Sequence, residues 1–217
     1  KYNFKGFEYH VPGDISSSSF FIVLTLLSRN SSLTIKNVNI NNTRTGIIHI
    51  LNKMNAKILF KNKRKMNGEL ISDILIKSRN RFKSINCPKK YNSSAIDEFL
   101  VIFLVAAKAE GVSTFSELDE LNKKESPRLE IAINFLRKIG IKVIRNKNDI
   151  KIYGNPYLNL SGNYIIKNFM KDHRVMMMST IAALTLGGKW KIYDASSSKT
   201  SFPEFFKIIK KLGANIF

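Results

Sequence analysis

Three stretches of the chain, 20–36, 99–118 and 175–193, share one pattern. Each opens with a long apolar run, breaks at a glycine or polar pair, and resumes as a short β-prone segment. Their apolar residues recur at i, i+3 and i+4, the spacing of a helix that buries one face. The run 99–107 is apolar almost all round, so its helix is expected between layers and not on a surface. The break falls at Asn30-Ser31, at Gly111 and at Gly187-Gly188. A second set of segments interleaves with the first: 51–58, 136–143 and 209–216 each read as a helix end followed by a strand, about 75 to 85 residues apart. Isoleucine-rich strands are predicted at 57–60, 71–76, 142–144 and 150–153, with Asn148-Asp149 as the turn between the last two.

The pattern predicts an α/β protein built from repeated strand–helix units whose sheets enclose the helices. No Pro- or Gly-rich linker divides it. The best candidate boundary is the turn 41–46, which sets residues 1–46 apart from 47–217. With 217 residues, 44% of them hydrophobic and 15 of them Phe, the chain has ample material for a core. Lys and Arg number 36 against 16 Asp and Glu, a formal charge of +20. That balance fits an anionic partner, or a compositional drift that spreads Lys, Asn and Ile through the whole sequence. A single cysteine, Cys87, excludes an internal disulfide and a cysteine-rich metal site, which favours a reducing compartment such as the cytoplasm. The longest apolar runs fall short of the roughly 20 residues that span a bilayer, so no membrane association is expected. The first residue is Lys1 within a segment that reads as mid-domain, so the chain is expected to be a piece of a longer protein.

Four predicted helix starts carry the candidate chemistry. Asp172 is placed to cap the helix that begins near Val175, and Ser126-Pro127 to cap the one that begins near Leu129. Ser201 to Glu204 has capping-box spacing, and Ser94 to Asp97 a similar one. Arg128 and Arg174 fall in first turns, and Lys199 just before a start. Cations there oppose the helix dipole by about 0.3–1 kcal/mol, a penalty that a bound phosphate or carboxylate reverses. Three such cations at successive starts point to a shared anion site. Asp97 reads either as a helix-start cap or as one of a general acid/base pair. Glu125 reads either as the other member or as a partner for Lys124 or Arg128. His10, His49 and His173 lack metal-ligand spacing, and His49, within an apolar helix, is expected to be packed. Met176 to Met178 reads as core filler.

Six ordered blocks carry a family likeness: 12–17 (Pro-Gly-Asp-Ile-Ser-Ser), 42–46 (Asn-Thr-Arg-Thr-Gly), Ile96-Asp97, 118–129 with its Lys-Glu-Ser-Pro-Arg-Leu end, Asp172-His173-Arg174, and 200–203 (Thr-Ser-Phe-Pro). The chain resembles the second half of the 5-enolpyruvylshikimate-3-phosphate synthases. The resemblance implies inverse βαβαββ-type repeats, with 1–46 as the tail of the first lobe and 47–217 as the second. It implies a transferase of the shikimate pathway, serving chorismate and aromatic amino-acid biosynthesis. The enolpyruvyl group of phosphoenolpyruvate passes to the 5-hydroxyl of shikimate 3-phosphate and phosphate leaves. No metal or organic cofactor is implied, and the full-length enzyme is expected to be a monomer. By position, Asp97 resembles the acceptor of the hydroxyl proton and a holder of the shikimate ring. Glu125 resembles the carboxylate that exchanges protons at the methylene. Lys124, Arg128 and Arg174 resemble the cations that bind phosphoenolpyruvate, with Lys199 a less constant member. Pro127, Asn122 and Met176 depart from the family's usual Asp, Arg and Ala. The first half, which in the family supplies a catalytic lysine and most of the shikimate 3-phosphate pocket, is missing, so the chain alone is expected to be inactive. Two alternatives stand beside this reading: the sister transferase that uses UDP-N-acetylglucosamine, and a basic module that binds nucleic acid.

Overall fold

One path is traced three times through residues 5–216, the span that the computed structural model describes. Residues 1–4 and Phe217 lie outside it. The path runs strand, helix, parallel strand, second helix, then an antiparallel hairpin. In the first copy Gly13 bridges Val38 in parallel, followed by α1 (Ile15–Leu27), β1 (Ser32–Asn39), α2 (Gly46–Lys53), β2 (Lys57–Met66) and β3 (Glu69–Lys77). The chain folds back so that β3 lies between β1 and β2, antiparallel to both. In the second copy β4 (Phe82–Lys83) leads into α3 (Phe99–Ala107), β5 (Ala109–Glu110) and β6 (Val112–Phe115), with β5 parallel to β4. Then come α4 (Arg128–Lys138), β7 (Lys142–Asn146) and β8 (Asp149–Tyr153), in the same order β6-β8-β7. The third copy holds β9 (Leu160–Ile166), α5 (His173–Thr185), β10 (Gly187–Ile192) parallel to β9, and α6 (Phe205–Lys211), with no hairpin among the described residues. The predicted α/β repeat is therefore present, complete twice and partial once.

The first helix of each copy turns inward, and α1, α3 and α5 pack on one another. All nine residues of α3 are buried, as its unbroken apolar sequence requires. The buried hydroxyls of α1 and α5 do not oppose this. Ser18, Ser19 and Thr25 donate to carbonyls three or four residues back, as do Ser179 and Thr180, so each is satisfied within its own helix. Phe20 and Phe21 meet Phe205 at ring distances of 6.0 and 5.9 Å, joining the first copy to the third. Trp190 stacks on Tyr164 at 4.6 Å and on Phe135 at 6.0 Å, joining the third to the second. Met176 to Met178 are buried core, as expected.

Several expectations need correction. The turn 41–46 is internal to the first copy and not a seam between lobes. β1 before it pairs with β3 after it, and the residues on both sides share one hydrophobic core. His49 is exposed and stacks on Tyr91 at 5.4 Å. The segment 209–216 ends helix α6 without a following strand. β9 escaped the sequence pattern because Ser161-Gly162-Asn163 interrupts its alternation. Glu204 precedes α6 without a side-chain cap and pairs with Lys207 at 2.9 Å, so 201–204 forms no capping box.

At Gly154, just after β8, the chain passes close against the end of α3 and the start of β5. A Cβ there would lie 2.1 Å from the Ala109 carbonyl oxygen and 2.5 Å from that of Ala106. Gly154→Ala is expected to destabilise the fold by about 1–3 kcal/mol or more, because backbone and not a flexible side chain stands in the way. Urea denaturation measures this, and an unchanged midpoint would show that the two backbones can part.

Candidate active site

The N-termini of α4 and α5 are clasped by one buried carboxylate. Asp172, itself only 1% exposed, caps α5 as expected: its Oδ1 accepts the backbone N–H groups of Arg174 at 2.9 Å and Val175 at 3.4 Å. The same carboxylate also accepts Arg128 Nε at 2.9 Å, Arg128 Nη2 at 3.4 Å and Ser126 Oγ at 2.8 Å. Ser126 therefore spends its hydroxyl across the gap between the helices and does not cap α4, whose N-cap position falls to Pro127 with no side-chain bond.

Arg128 is the first residue of α4 and is 1% exposed. A guanidinium there pays a dipole penalty and a larger desolvation cost, so it persists only if nearly every donor is matched. Asp172 matches two of its nitrogens. Arg128 Nη1 donates to Asp97 Oδ1 at 3.2 Å, and Nη2 pairs with Glu125. Asp97 in turn gathers the remaining cations: Lys124 Nζ lies 3.4 Å from Oδ1, and Arg174 Nη2 lies 4.0 Å from Oδ2. Arg174 Nη1 also donates to the Asp97 backbone carbonyl at 3.1 Å. Asp97 does not cap α3, and neither does Ser94, whose hydroxyl donates to Tyr91 in a separate turn.

The structure thus brings Asp97, Lys124, Glu125, Arg128 and Arg174 into one cluster. Lys199 is exposed in the short 3-10 turn Ala195–Thr200, with no ion pair to the cluster among the described residues. Burial pushes the Asp97 carboxyl up, but Arg174, Lys124 and Arg128 together outweigh it and hold Asp97 below the usual carboxylate range. For Asp172 burial is likewise outweighed, here by Arg128, Ser126 and the Arg174 N–H. His173 is pushed down by burial and by neighbouring Arg174, which favours the neutral ring. Cys87 is buried and its thiol pushed up to about 11, so it has no nucleophilic character at neutral pH.

Sequence reasoning missed the second role of Asp172. A residue legible as a cap is also the main partner of Arg128, and a cap motif alone cannot reveal a contact 44 residues away. It also missed Glu98, which is buried beside the site at the mouth of an apolar helix. An acid opening a run as apolar as 99–107 was the available signal.

A family model for EPSP synthase (3-phosphoshikimate 1-carboxyvinyltransferase) matches residues 1–209. The chain belongs to this family. It is 37% identical over 210 residues to the 3-phosphoshikimate 1-carboxyvinyltransferase of Petrotoga mobilis, covering 97% of this chain and 48% of the relative. With that of Ruthia magnifica it shares 38% over 210 residues, covering 97% and 47%. The chain spans about half the length of the curated relatives it matches. Among solved structures, EPSP synthase from Acinetobacter baumannii superposes with a TM-score of 0.83 at 34% identity, over 93% of this chain and 46% of that one. The enolpyruvyl transferase NikO from Streptomyces tendae shares the fold, with a TM-score of 0.70 at 15% identity over 92% and 43%.

The clasp gives a direct stability prediction. Asp172→Asn leaves a buried Arg128 without its main counter-charge, which is expected to cost about 3–5 kcal/mol in chemical denaturation. The lowered carboxyl also sets a pH sign. Its contribution is present above the ordinary Asp value of 3.8 and is lost as pH falls through the lower folded value. The native chain should therefore lose stability more steeply than the variant below that point. Equal stability and equal acid slopes would remove the clasp from the account.

Proposed function

We propose that this chain supplies the donor-binding half of an enolpyruvyl transferase that joins phosphoenolpyruvate to the 5-hydroxyl of shikimate 3-phosphate. One observation carries the reading: Lys124, Arg128 and Arg174 converge on the single carboxylate of Asp97 at the starts of two helices. A donor bearing a phosphate and a carboxylate fits three such cations.

Without a donor the cations are satisfied by carboxylates, so binding is an exchange. Arg128 is sealed by Asp97 and Glu125, and Glu125 is the mobile member, with more than half of its side chain in solvent. An anionic donor takes its place on Arg128 as Glu125 swings off, which frees the Glu125 carboxyl to face the donor's methylene. The same exchange tunes Asp97. Three cations hold it a weak base, and their neutralisation by the donor restores its basicity when the acceptor hydroxyl needs one. Glu125 takes up a proton from solvent as it leaves Arg128; the hydroxyl oxygen then bonds to C2 of phosphoenolpyruvate, its proton goes to Asp97, and C3 gains the proton carried by Glu125. A proton from C3 returns to Glu125 as the bond from C2 to the phosphate oxygen breaks, and the proton on Asp97 leaves with the phosphate.

Lys199 is given no step in this scheme; it is an exposed cation in the turn Ala195–Thr200, which packs against α5. Residues 5–12 carry no regular structure and leave Phe7 and Val11 exposed, which supports them as the passage to the other lobe. That lobe is expected to supply the rest of the acceptor pocket.

Phosphate release tests the proposal in the longest gene product containing this chain, with shikimate 3-phosphate and UDP-N-acetylglucosamine offered separately. Turnover is expected with the first acceptor alone, and Asp97→Asn and Glu125→Gln should each lower kcat by about 10²–10⁴-fold. The chain by itself is expected to show none. Turnover with the sugar nucleotide, or full activity in both variants, would contradict the assignment.

A further inference from the structure

Asp97 and Glu98 are adjacent carboxylates that share Arg174 but differ in their other partners. Asp97 looks toward the cations, while Glu98 is 2% exposed and turned toward the first copy of the fold. There the Glu98 Oε1 accepts a short hydrogen bond from Ser16 Oγ, on α1, and Ser16 Oγ accepts from Arg44 Nη2 at 2.8 Å. Arg44 also lies 3.8 Å from Asp14, the residue that caps α1. The same Glu98 Oε1 also stands 4.0 Å from Arg174 Nη1. Arg174 is thus shared between two acids: it donates to the Asp97 carbonyl and lies 4.0 Å from both the Asp97 and the Glu98 carboxylates.

We propose that Glu98 is a positioning residue that holds Arg174 off the Asp97 carboxylate and so keeps its guanidinium available to the anionic donor. The inference rests on the functional reading above and extends it to a residue that touches neither substrate in that scheme. The physical argument is competition. Arg174 is mostly buried and must satisfy its charge locally. With Glu98 charged behind it, the guanidinium is balanced between two carboxylates and bound tightly to neither. Without that charge it closes on Asp97, forming the ion pair that an incoming phosphate or carboxylate must then break. Ser16 and Arg44 fix where the Glu98 carboxylate sits, and so couple the α1 end of the fold to the site.

A pH dependence follows. Burial pushes the Glu98 carboxyl up, and Asp97 adds to this, while Ser16, Arg174 and Arg44 oppose it. Glu98 is therefore charged above a value higher than that of an ordinary glutamate. As pH falls through that value it protonates, releases Arg174, and raises KM for the donor.

The test uses Glu98→Gln and Glu98→Ala in the longest gene product, alongside the unmodified protein. Gln keeps the shape and can still accept from Ser16, so it removes the charge alone. Both variants are expected to raise KM for phosphoenolpyruvate about tenfold, with kcat changed by less than about threefold. In both, the acid limb of log(kcat/KM) that lies above the ordinary glutamate range should disappear. Unchanged or lower KM in Glu98→Gln overturns the proposal, as does loss in Glu98→Ala with full rescue by Gln, which would mark a packing role. Should neither variant fold, an unmodified profile with no such limb overturns it as well. An unmodified protein that shows no turnover overturns the functional reading and this inference with it, whereas an active one with an indifferent Glu98 overturns this inference alone.

Discussion

A guanidinium with almost no access to water governs the arrangement of this site. Arg128 begins helix α4, where the backbone already presents positive charge, and it survives there because Asp172 reaches across from the start of α5. That one carboxylate caps its own helix, binds Ser126 and receives two nitrogens of Arg128. The two helix starts are consequently tied at a fixed separation, and what they carry is fixed with them: Lys124 and Glu125 just ahead of α4, His173 and Arg174 on the first turn of α5. Asp97, from a third element, completes the set.

The repeat explains why three elements meet there. Each copy sends its first helix inward and its second outward, so the starts of α3, α4 and α5 are brought to one region by a path used again and again. The apolar contacts of α1, α3 and α5 lie within one continuous hydrophobic core that is indifferent to charge. The site sits at their polar ends, where the buried acids and bases must cancel one another in the absence of ligand. Under the proposed function, that balance makes the site an exchanger of anions. In the proposed scheme an anionic donor takes the place of Glu125 on Arg128 and, by neutralising the cations around Asp97, restores the basicity of that second carboxylate.

Much of this was legible in the sequence. The period of the apolar runs gave the α/β repeat and the inward helices, since an all-apolar segment such as 99–107 has nowhere else to go. The cations at helix starts singled out Arg128 and Arg174 together with Lys199, the nearby acids Asp97 and Glu125 were candidates beside them, and the ordered blocks added Lys124. What escaped were relations between distant segments. Ser126 read as a cap because Ser-Pro before a helix usually is one, yet a buried carboxylate opposite it claims the hydroxyl. The turn 41–46 read as a boundary because its residues are turn formers, yet pairing of β1 with β3 runs across it. Lys199 was grouped with the others by its place just before a helix start, and in the structure it is exposed, without an ion pair to the cluster among the described residues. Glu98 gave a single hint, an acid placed where only apolar side chains would be at ease.

A double-mutant cycle between Arg128 and Asp172 addresses the clasp most directly. Arg128→Met and Asp172→Leu are made singly and together, and stability is read by urea denaturation. The account predicts that each single change is costly and that the pair restores much of the loss, with a coupling of about 2–3 kcal/mol. Single effects that simply add would mean that the two charges do not depend on each other, and that the helix starts are held together by something else.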